Sequence, residues 1–272
     1  MVILKSELIQ ILSEIQLEAV LAKPNEGLVA DTHICNINWN DGKTTRAYVK
    51  RLRSTEELGL LNEITGYILA RHSQLPVPLR AGLIKLNPDA FQDSSMFGDW
   101  AFVISEISGV TPGSYFNSGA LTECKSLMDL VASWSKVSET IAFDDWIANE
   151  DRNLGNLVVA GRDDIYLIDH SNIPFVLNWT AQMLDPYKES KNALATNLWA
   201  LQSTPLPVKA KISSASQNHE TSFSLALADL QYWWGILLSN DQQRLGALNN
   251  FLEKRAKNSQ SRISNNFGLL AV

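Results

Sequence analysis

The chain has 272 residues, of which 45% are hydrophobic and 19% are charged, and its formal net charge is −6. This is the composition of a globular protein with room for one large domain or two modest lobes, and no apolar run approaches the ~18 residues of a membrane-spanning helix. The acidic balance argues against a broad basic face for nucleic acid or anionic lipid.

The N-terminal segment shows apolar residues at helical spacing, interrupted by charged ones. Leu4, Leu8, Ile11, Leu12 and Ile15 would share one face of a helix. A signal peptide needs an unbroken apolar core. We therefore expect a structural helix at the start of the chain.

The cysteines and histidines constrain the chemistry. Cys35 and Cys124 are far apart and form no CxxC motif, which favours buried free thiols in a reducing cytoplasm. The four histidines show none of the spacings typical of zinc enzymes. Both patterns argue against a disulfide framework and against zinc catalysis.

The first half of the chain is predicted to be rich in strands. Residues 27–52 form a hairpin pattern around Asn40-Asp41-Gly42, residue types that tolerate the positive φ of tight turns. A helix follows over 54–74, with Ser54 or Thr55 as its N-cap, and the LPVP segment ends it. A strand over 79–86, a polar loop through Asp99 and an apolar strand complete this half.

The second half is predicted to be mainly helical. The chain changes character between Glu106 and Gly113, and helices are expected over 121–149 and near 190–203, 221–237 and 241–257. Short strands at 156–161 and 164–171 interrupt them. The Ser/Pro/Lys-rich segment 203–218 is predicted to be a mobile surface loop, and the basic helix end at 251–262 to be solvated. The paired Trp233 and Trp234 are expected to pack in the core, because no basic residues alternate with them.

Three oxygen-bearing side chains are predicted to converge around the strand pair. Asp151 and Asn156 lie five residues apart in one polar loop, and a hairpin would return Asp169 beside Asn156. Magnesium prefers such hard oxygen ligands, which suits Asn156 and Asp169, whereas Asp151 could accept a proton in phosphoryl transfer. Taken alone, however, this segment is better explained as a polar turn.

A lysine in the first half adds to this pattern. Lys50 shares a strand face with Tyr48 and Leu52, and a partly buried ammonium needs an anionic partner. Glu63 on the next helix could supply it, with Glu56 as the alternative. A strand lysine paired with a helix glutamate positions nucleotide phosphates in kinases. A lysine that extends to water and an exposed glutamate remain the simpler interpretation of each residue alone.

These segments together resemble the HipA-like kinases, a branch of the protein-kinase-like and phosphoinositide-kinase-like fold. FDDWIANEDRNLGN at 143–156 is similar to their catalytic loop and YLIDHS at 166–171 to their metal-binding strand. LLNEITGYILARHSQLPVP at 60–78 resembles their glutamate helix, and SEISGVTPGSYF at 105–116 their hinge. The resemblance covers roughly residues 25–175. It departs from the family in lacking GxGxxG, with only Gly27 marking a phosphate-covering loop, and in placing Ser171 where many relatives have glycine.

The resemblance implies a two-lobed α+β fold, with a β-rich N-lobe over 1–107 and a helical C-lobe over 108–272 that carries the catalytic-loop hairpin. It further implies a role for each candidate site residue: Lys50 on the ATP phosphates, Glu63 pairing it, main-chain groups of Glu106 and Ile107 at adenine, Asp151 as catalytic base, and Asn156 and Asp169 on magnesium.

The activity implied is ATP- and Mg-dependent phosphorylation of Ser or Thr in a protein substrate, in the cytoplasm. An antitoxin-like or other regulatory protein is a further partner that the family implies, whereas no membrane or nucleic-acid partner is expected. Two alternatives stay open. One is a pseudokinase-like module that binds nucleotide without turnover, and the other is a kinase of a small molecule or lipid.

Overall fold

The computed structural model describes residues 7–24, 30–56, 58–87, 91, 96–199 and 203–269. Gly27, on which a phosphate-covering loop was predicted, lies outside these residues. Both cysteines are buried free thiols, as predicted. Among the helices described, none combines the length and the apolar character needed to cross a bilayer.

The described residues of the first half of the chain build one mixed sheet of six strands. The strands are β1 (Ile9–Leu12), β2 (Leu17–Ala22), β3 (Ala30–Asn38), β4 (Thr44–Arg53), β5 (Ala81–Lys85) and β6 (Phe97–Ser105). Their order in the sheet is β1-β5-β6-β4-β3-β2, with β1 parallel to β5 and the other neighbours antiparallel. The last residues of β6 lead directly into the second half.

The predicted N-terminal helix is wrong, because residues 9–12 and 17–22 are strands. Of the predicted helix face, Leu12 is buried, whereas Ile11 and Ile15 are exposed. Ile9, which did not belong to that face, is buried where β1 pairs with β5. A few apolar residues fit either period, and a neighbouring strand with a free edge decides between them. The predicted hairpin at Asn40-Asp41-Gly42 is confirmed, with Gly42 at φ +76 between β3 and β4.

Nine α-helices lie within the described residues: α1 (Gly59–His72), α2 (Pro112–Asn117), α3 (Leu121–Ser133), α4 (Val137–Trp146), α5 (Ala193–Trp199), α6 (Leu206–Ser216), α7 (His219–Leu237), α8 (Gln242–Lys257) and α9 (Ser259–Asn266). The strands β7 (Leu157–Val159) and β8 (Ile165–Leu167) form a separate hairpin between α4 and α5. The chain is therefore an α+β protein, β-rich before residue 106 and mainly helical after it.

Helix α1 is buried on almost every side, because β6 packs on one face and α7 on another. A helix enclosed in this way has no broad polar face. It begins at Gly59, so the N-caps predicted at Ser54 or Thr55 are wrong. The N–H of Leu58 instead lies 3.4 Å from Oδ1 of Asn178, a residue too distant in sequence for local capping rules to find.

One prediction about the second half is also wrong, and another is correct only in part. The segment 203–218 forms α6, which packs against α4 and α9, and its prolines Pro205 and Pro207 lie where a helix begins rather than within it. The basic end at 251–262 is solvated only in part, since Lys254 and Lys257 are exposed but Arg255 is fully buried and Arg262 nearly so. Arg255 donates to the carbonyl oxygens of Asp145 and Trp146, and Arg262 pairs with the Asp145 carboxylate. The C-terminal helices are thereby fixed to the end of α4.

The larger apolar cluster runs across the change from strands to helices. It joins α1 and one face of β5 and β6 to α4, α7 and α8, and it includes the buried Trp233 and Trp234, as predicted. A smaller cluster covers the opposite face of the sheet. The continuous core holds the end of the sheet against the β7–β8 hairpin, where the candidate site lies.

Candidate functional site

A pocket of about 330 Å³ lies between the sheet and the β7–β8 hairpin, and we call it the central pocket. One part of its wall is apolar, formed by Tyr48, Pro78, Ile104, Ile107, Val158 and Ile168. The other part is polar and contains Thr32, Lys50, Asn156 and Asp169. Small-molecule sites commonly combine an apolar wall with a few convergent polar groups in this way.

The fold brings the polar residues together from three elements. Lys50 lies on β4, directly opposite Thr32 on β3. Asn156 immediately precedes β7, and Asp169 lies two residues after β8, so the antiparallel hairpin places both at one end. Val110 and Val159 form an isolated bridge that joins the segment after β6 to the same hairpin.

Lys50 is held between two carboxylates. Its Nζ lies 3.0 Å from Oε1 of Glu63 and 3.4 Å from Oδ2 of Asp169. Glu63, not the alternative Glu56, is therefore the helix residue that meets Lys50. The Glu63 side chain is 2% exposed and that of Asp169 is 38% exposed, so the second carboxylate faces the pocket and the first does not.

The charges of this cluster are unequal. Burial alone would lower the pKa of Lys50, but the carboxylates of Asp169 and Glu63 raise it. Burial raises the pKa of Glu63 despite the opposing effect of Lys50. Burial would also raise the pKa of Asp169, but Lys50 and the hydrogen bonds from Ser171 lower it. The pKa is raised at both residues, but for different reasons. Lys50 faces two anions, which favour its charged form, whereas Glu63 faces one cation and a second anion, and its burial favours the neutral form.

The turn after β8 is fixed from several directions. Asp169 has φ +59, a conformation that aspartate tolerates better than most residues and that is concentrated at functional sites. Ser171 donates to Asp169 Oδ1 from its hydroxyl at 2.8 Å, and Glu63 Oε2 accepts the main-chain N–H of His170 at 2.9 Å. Helix α1 therefore contacts both Lys50 and the turn that carries Asp169.

His170 fills the space beside α1. A Cβ on Gly66 would lie 2.3 Å from the Cβ of His170, so only glycine permits this approach. Burial lowers the pKa of His170 well below its ordinary value, and Arg152 adds to the effect. His170 is therefore neutral at pH 7 and supports the turn by packing.

Asp151 is anchored through its main chain and its side chain. Asn156 Nδ2 donates to the Asp151 carbonyl oxygen at 2.6 Å, and the Asp151 N–H donates to Asn149 Oδ1 at 3.1 Å. The carboxylate accepts from Asn172 Nδ2 at 2.7 Å and from Asn153 Nδ2 at 3.2 Å. Asn156 thus links Asp151 to the central pocket through one amide group.

Sequence reasoning missed a buried ion pair beneath the loop. Arg152 and Asp144 are both fully buried at their side chains and lie 3.0 Å apart. Arg152 Nη1 also donates to the carbonyl oxygen of Ile168 at 2.8 Å, beside Asp169. The pair fixes the Asp151 loop to the end of β8. The sequence signals this pair only by placing the charged Asp144 in a mainly apolar segment, and that pattern does not identify Arg152 as its partner.

Glu106 and Ile107 lie where β6 ends. Ile107 lines the central pocket, whereas the N–H of Glu106 donates to the Arg46 carbonyl oxygen at 3.0 Å. The Glu106 side chain also pairs with Arg46, at 2.7 Å. Any main-chain contact from Glu106 to a ligand would therefore have to come from its carbonyl oxygen.

The oxygen donors of the pocket favour a hard cation. Among the described residues, no group of three or more His, Cys, Asp or Glu side chains could by itself hold a metal ion. Asn156 and Asp169 nevertheless line one pocket, and the formal charges of Lys50, Glu63 and Asp169 sum to −1. Magnesium is commonly bound by one or two protein oxygens, with water and substrate phosphates completing its shell. The donor set fits that arrangement.

Comparisons of the sequence with known protein families and with curated proteins found no match. The function must therefore be inferred from the pocket: an apolar wall beside a lysine held by two carboxylates, with an amide and an exposed carboxylate at its polar end. Asp151, which carries a third carboxylate, is joined to this end by the hydrogen bond from Asn156 to its main-chain carbonyl oxygen.

Proposed function

We propose that this protein is an ATP- and magnesium-dependent phosphotransferase similar to the HipA-like kinases, acting on a Ser or Thr hydroxyl of a protein. The observation that carries the proposal is Lys50 held between Glu63 and Asp169 at the polar end of the central pocket. A lysine in this setting is suited to nucleotide phosphates, and a pocket-facing carboxylate is suited to the accompanying cation.

The residues in and around the central pocket would each bind a different part of ATP or its metal ion. The apolar wall around Ile104 and Ile107 would hold the base, and Lys50 would bind phosphate oxygens while Glu63 holds its ammonium in place. Asn156 and Asp169 would hold magnesium, which would neutralise negative charge on the phosphates.

In the transfer step, Asp151 accepts the proton of the acceptor hydroxyl as its oxygen bonds to the γ-phosphorus. The bond from that phosphorus to the β–γ bridging oxygen breaks, and its electron pair leaves with ADP. Little covalent chemistry falls to the protein, so positioning and charge neutralisation supply the rate enhancement.

Phosphotransfer from radiolabelled ATP to the protein itself and to casein tests the proposal. The variants Asp151→Ala and Asp169→Ala should lose transfer by a factor of at least ~10² while remaining folded, because each removes a group that acts on the reacting atoms. Asp163→Ala is the matched control, since this exposed aspartate lies in the turn of the same hairpin. Normal transfer by either pocket variant would show that the assignment is wrong.

A further inference from the structure

We propose that Asn172 is a positioning residue that orients the Asp151 carboxylate, an inference that rests on the proposed function. Asn172 Nδ2 donates to Asp151 Oδ2 at 2.7 Å, although 21 residues separate the two in sequence. A hydrogen bond from an amide to an ionised carboxylate is stronger than one between neutral groups. Of the two amide contacts that the carboxylate makes with described residues, this is the shorter.

The main chain at Asp151 is already fixed without Asn172. Its N–H is bonded to Asn149 and its carbonyl oxygen to Asn156, both within the same loop. Those contacts leave the side-chain torsions of Asp151 undetermined. The remaining amide partner, Asn153, is exposed and its contact is longer, at 3.2 Å. The direction of the carboxylate therefore depends mainly on Asn172.

Asn172 also belongs to the turn that carries Asp169. Ser171, between them, donates to Asp169 Oδ1, and its carbonyl oxygen accepts from Asn62 of α1 at 2.6 Å. One anchored turn thus contacts Lys50 through Asp169 and the Asp151 carboxylate through Asn172. The turn sets the distance between the proposed base and the proposed metal-holding group, which must be correct to within about 1 Å for efficient transfer.

Two substitutions separate this role from simple packing. Asn172→Ala removes the donor and the volume, whereas Asn172→Asp keeps the shape but replaces the donor with a second carboxylate. We expect Asn172→Ala to lower kcat by ~10 to 10²-fold with KM for ATP within about twofold, because misplacement by about 1 Å carries that cost. Asn172→Asp should lower kcat at least as far. A residue that only fills space would tolerate the Asp isostere better than Ala.

An exposed asparagine far from this turn in the sequence provides the control for these variants. Asn240→Asp makes the same charge change at an exposed position between α7 and α8 and should leave kcat unchanged. A crystal structure of ligand-free Asn172→Ala should show the Asp151 carboxylate rotated away from its wild-type direction. Should that variant fail to fold, Asn172→Asp carries the same test.

The two proposals can fail separately. Wild-type transfer combined with undiminished kcat in both Asn172 variants, or an unmoved Asp151 carboxylate, overturns the positioning role alone. No transfer by the wild-type protein overturns the proposed function, and the role of Asn172 with it.

Discussion

The pairing of Lys50 with Glu63 can be measured as a coupling free energy. Lys50→Met removes the cation that lies between two carboxylates and leaves Glu63 buried without a countercharge. At the observed 3.0 Å, the attraction between Nζ and Oε1 is about 5–6 kcal/mol at an effective dielectric near 20, before the cost of burial is subtracted. Breaking one side of a buried pair typically costs about 3–5 kcal/mol. We expect Lys50→Met to lower the free energy of unfolding by that amount.

Glu63→Gln should cost less, because Lys50 keeps Asp169 as a partner at 3.4 Å and the glutamine oxygen can still accept from His170. The double variant should be less destabilised than the sum of the single ones, with a coupling of about 2–3 kcal/mol. Lowering the pH should reduce the loss of unfolding free energy that Lys50→Met causes. Burial raises the pKa of Glu63, so the folded protein holds this proton more tightly than the unfolded chain and becomes relatively more stable as pH falls.

Urea unfolding of the wild-type protein, the two single variants and the double variant, without divalent ions, measures this coupling. The matched control is the exposed pair Lys257 and Glu253, whose charged atoms are closer, at 2.6 Å, but lie in solvent. Substitution of that pair as Lys257→Met and Glu253→Gln should be additive, since exposed ion pairs contribute little. Additive losses at Lys50 and Glu63, within about 0.5 kcal/mol, would refute the argument.

Two further predictions concern packing and pH. Gly66→Ala should destabilise the protein by at least ~2 kcal/mol in urea unfolding and reduce phosphotransfer, because its Cβ would lie 2.3 Å from the Cβ of His170. The control Gly235→Ala, which has open space around it in α7, should be neutral or stabilising. Equal effects of the two substitutions would contradict the packing argument. Burial lowers the pKa of His219 to about 3, and Arg262 adds to the effect. Below its ordinary pKa the unfolded chain therefore binds a proton that the folded chain does not, and the free energy of unfolding should fall by about 2–3 kcal/mol as the pH is lowered from 6.5 to 4.5. His219→Gln should flatten that part of the unfolding profile, and an unchanged slope would show that His219 is not responsible.

Local patterns predicted much of the fold, and failures occurred where tertiary contacts decide. The hairpin at Gly42 and the buried pair Trp233 and Trp234 follow from turn chemistry and composition. The N-terminal strands do not, because β1 is stabilised by pairing with β5, about 70 residues later in the register of Ile9 with Ala81. Composition alone does not predict helix α6, because a Ser/Pro/Lys-rich segment is typical of a loop, whereas these prolines lie where a helix begins.

The candidate site shows the same division. The order of the candidate residues along the chain suggested one site. Lys50, Asn156 and Asp169 do line the central pocket, and Glu63 pairs with Lys50 outside it. The supporting contacts could not be predicted, because they join groups that no periodicity relates. Asn172 reaches Asp151 across a turn, and the buried pair of Arg152 and Asp144 depends on how α4 enters the loop.

The proposed function is tested most directly by calorimetric titration of the protein with ATP, with and without magnesium. We expect the wild-type protein to bind ATP more tightly when magnesium is present. In the Asp169→Asn variant magnesium should no longer improve ATP binding, because that substitution removes the pocket-facing carboxylate. The proposed function would be contradicted if the wild-type protein did not bind ATP in the presence of magnesium, or if magnesium improved ATP binding equally in the variant.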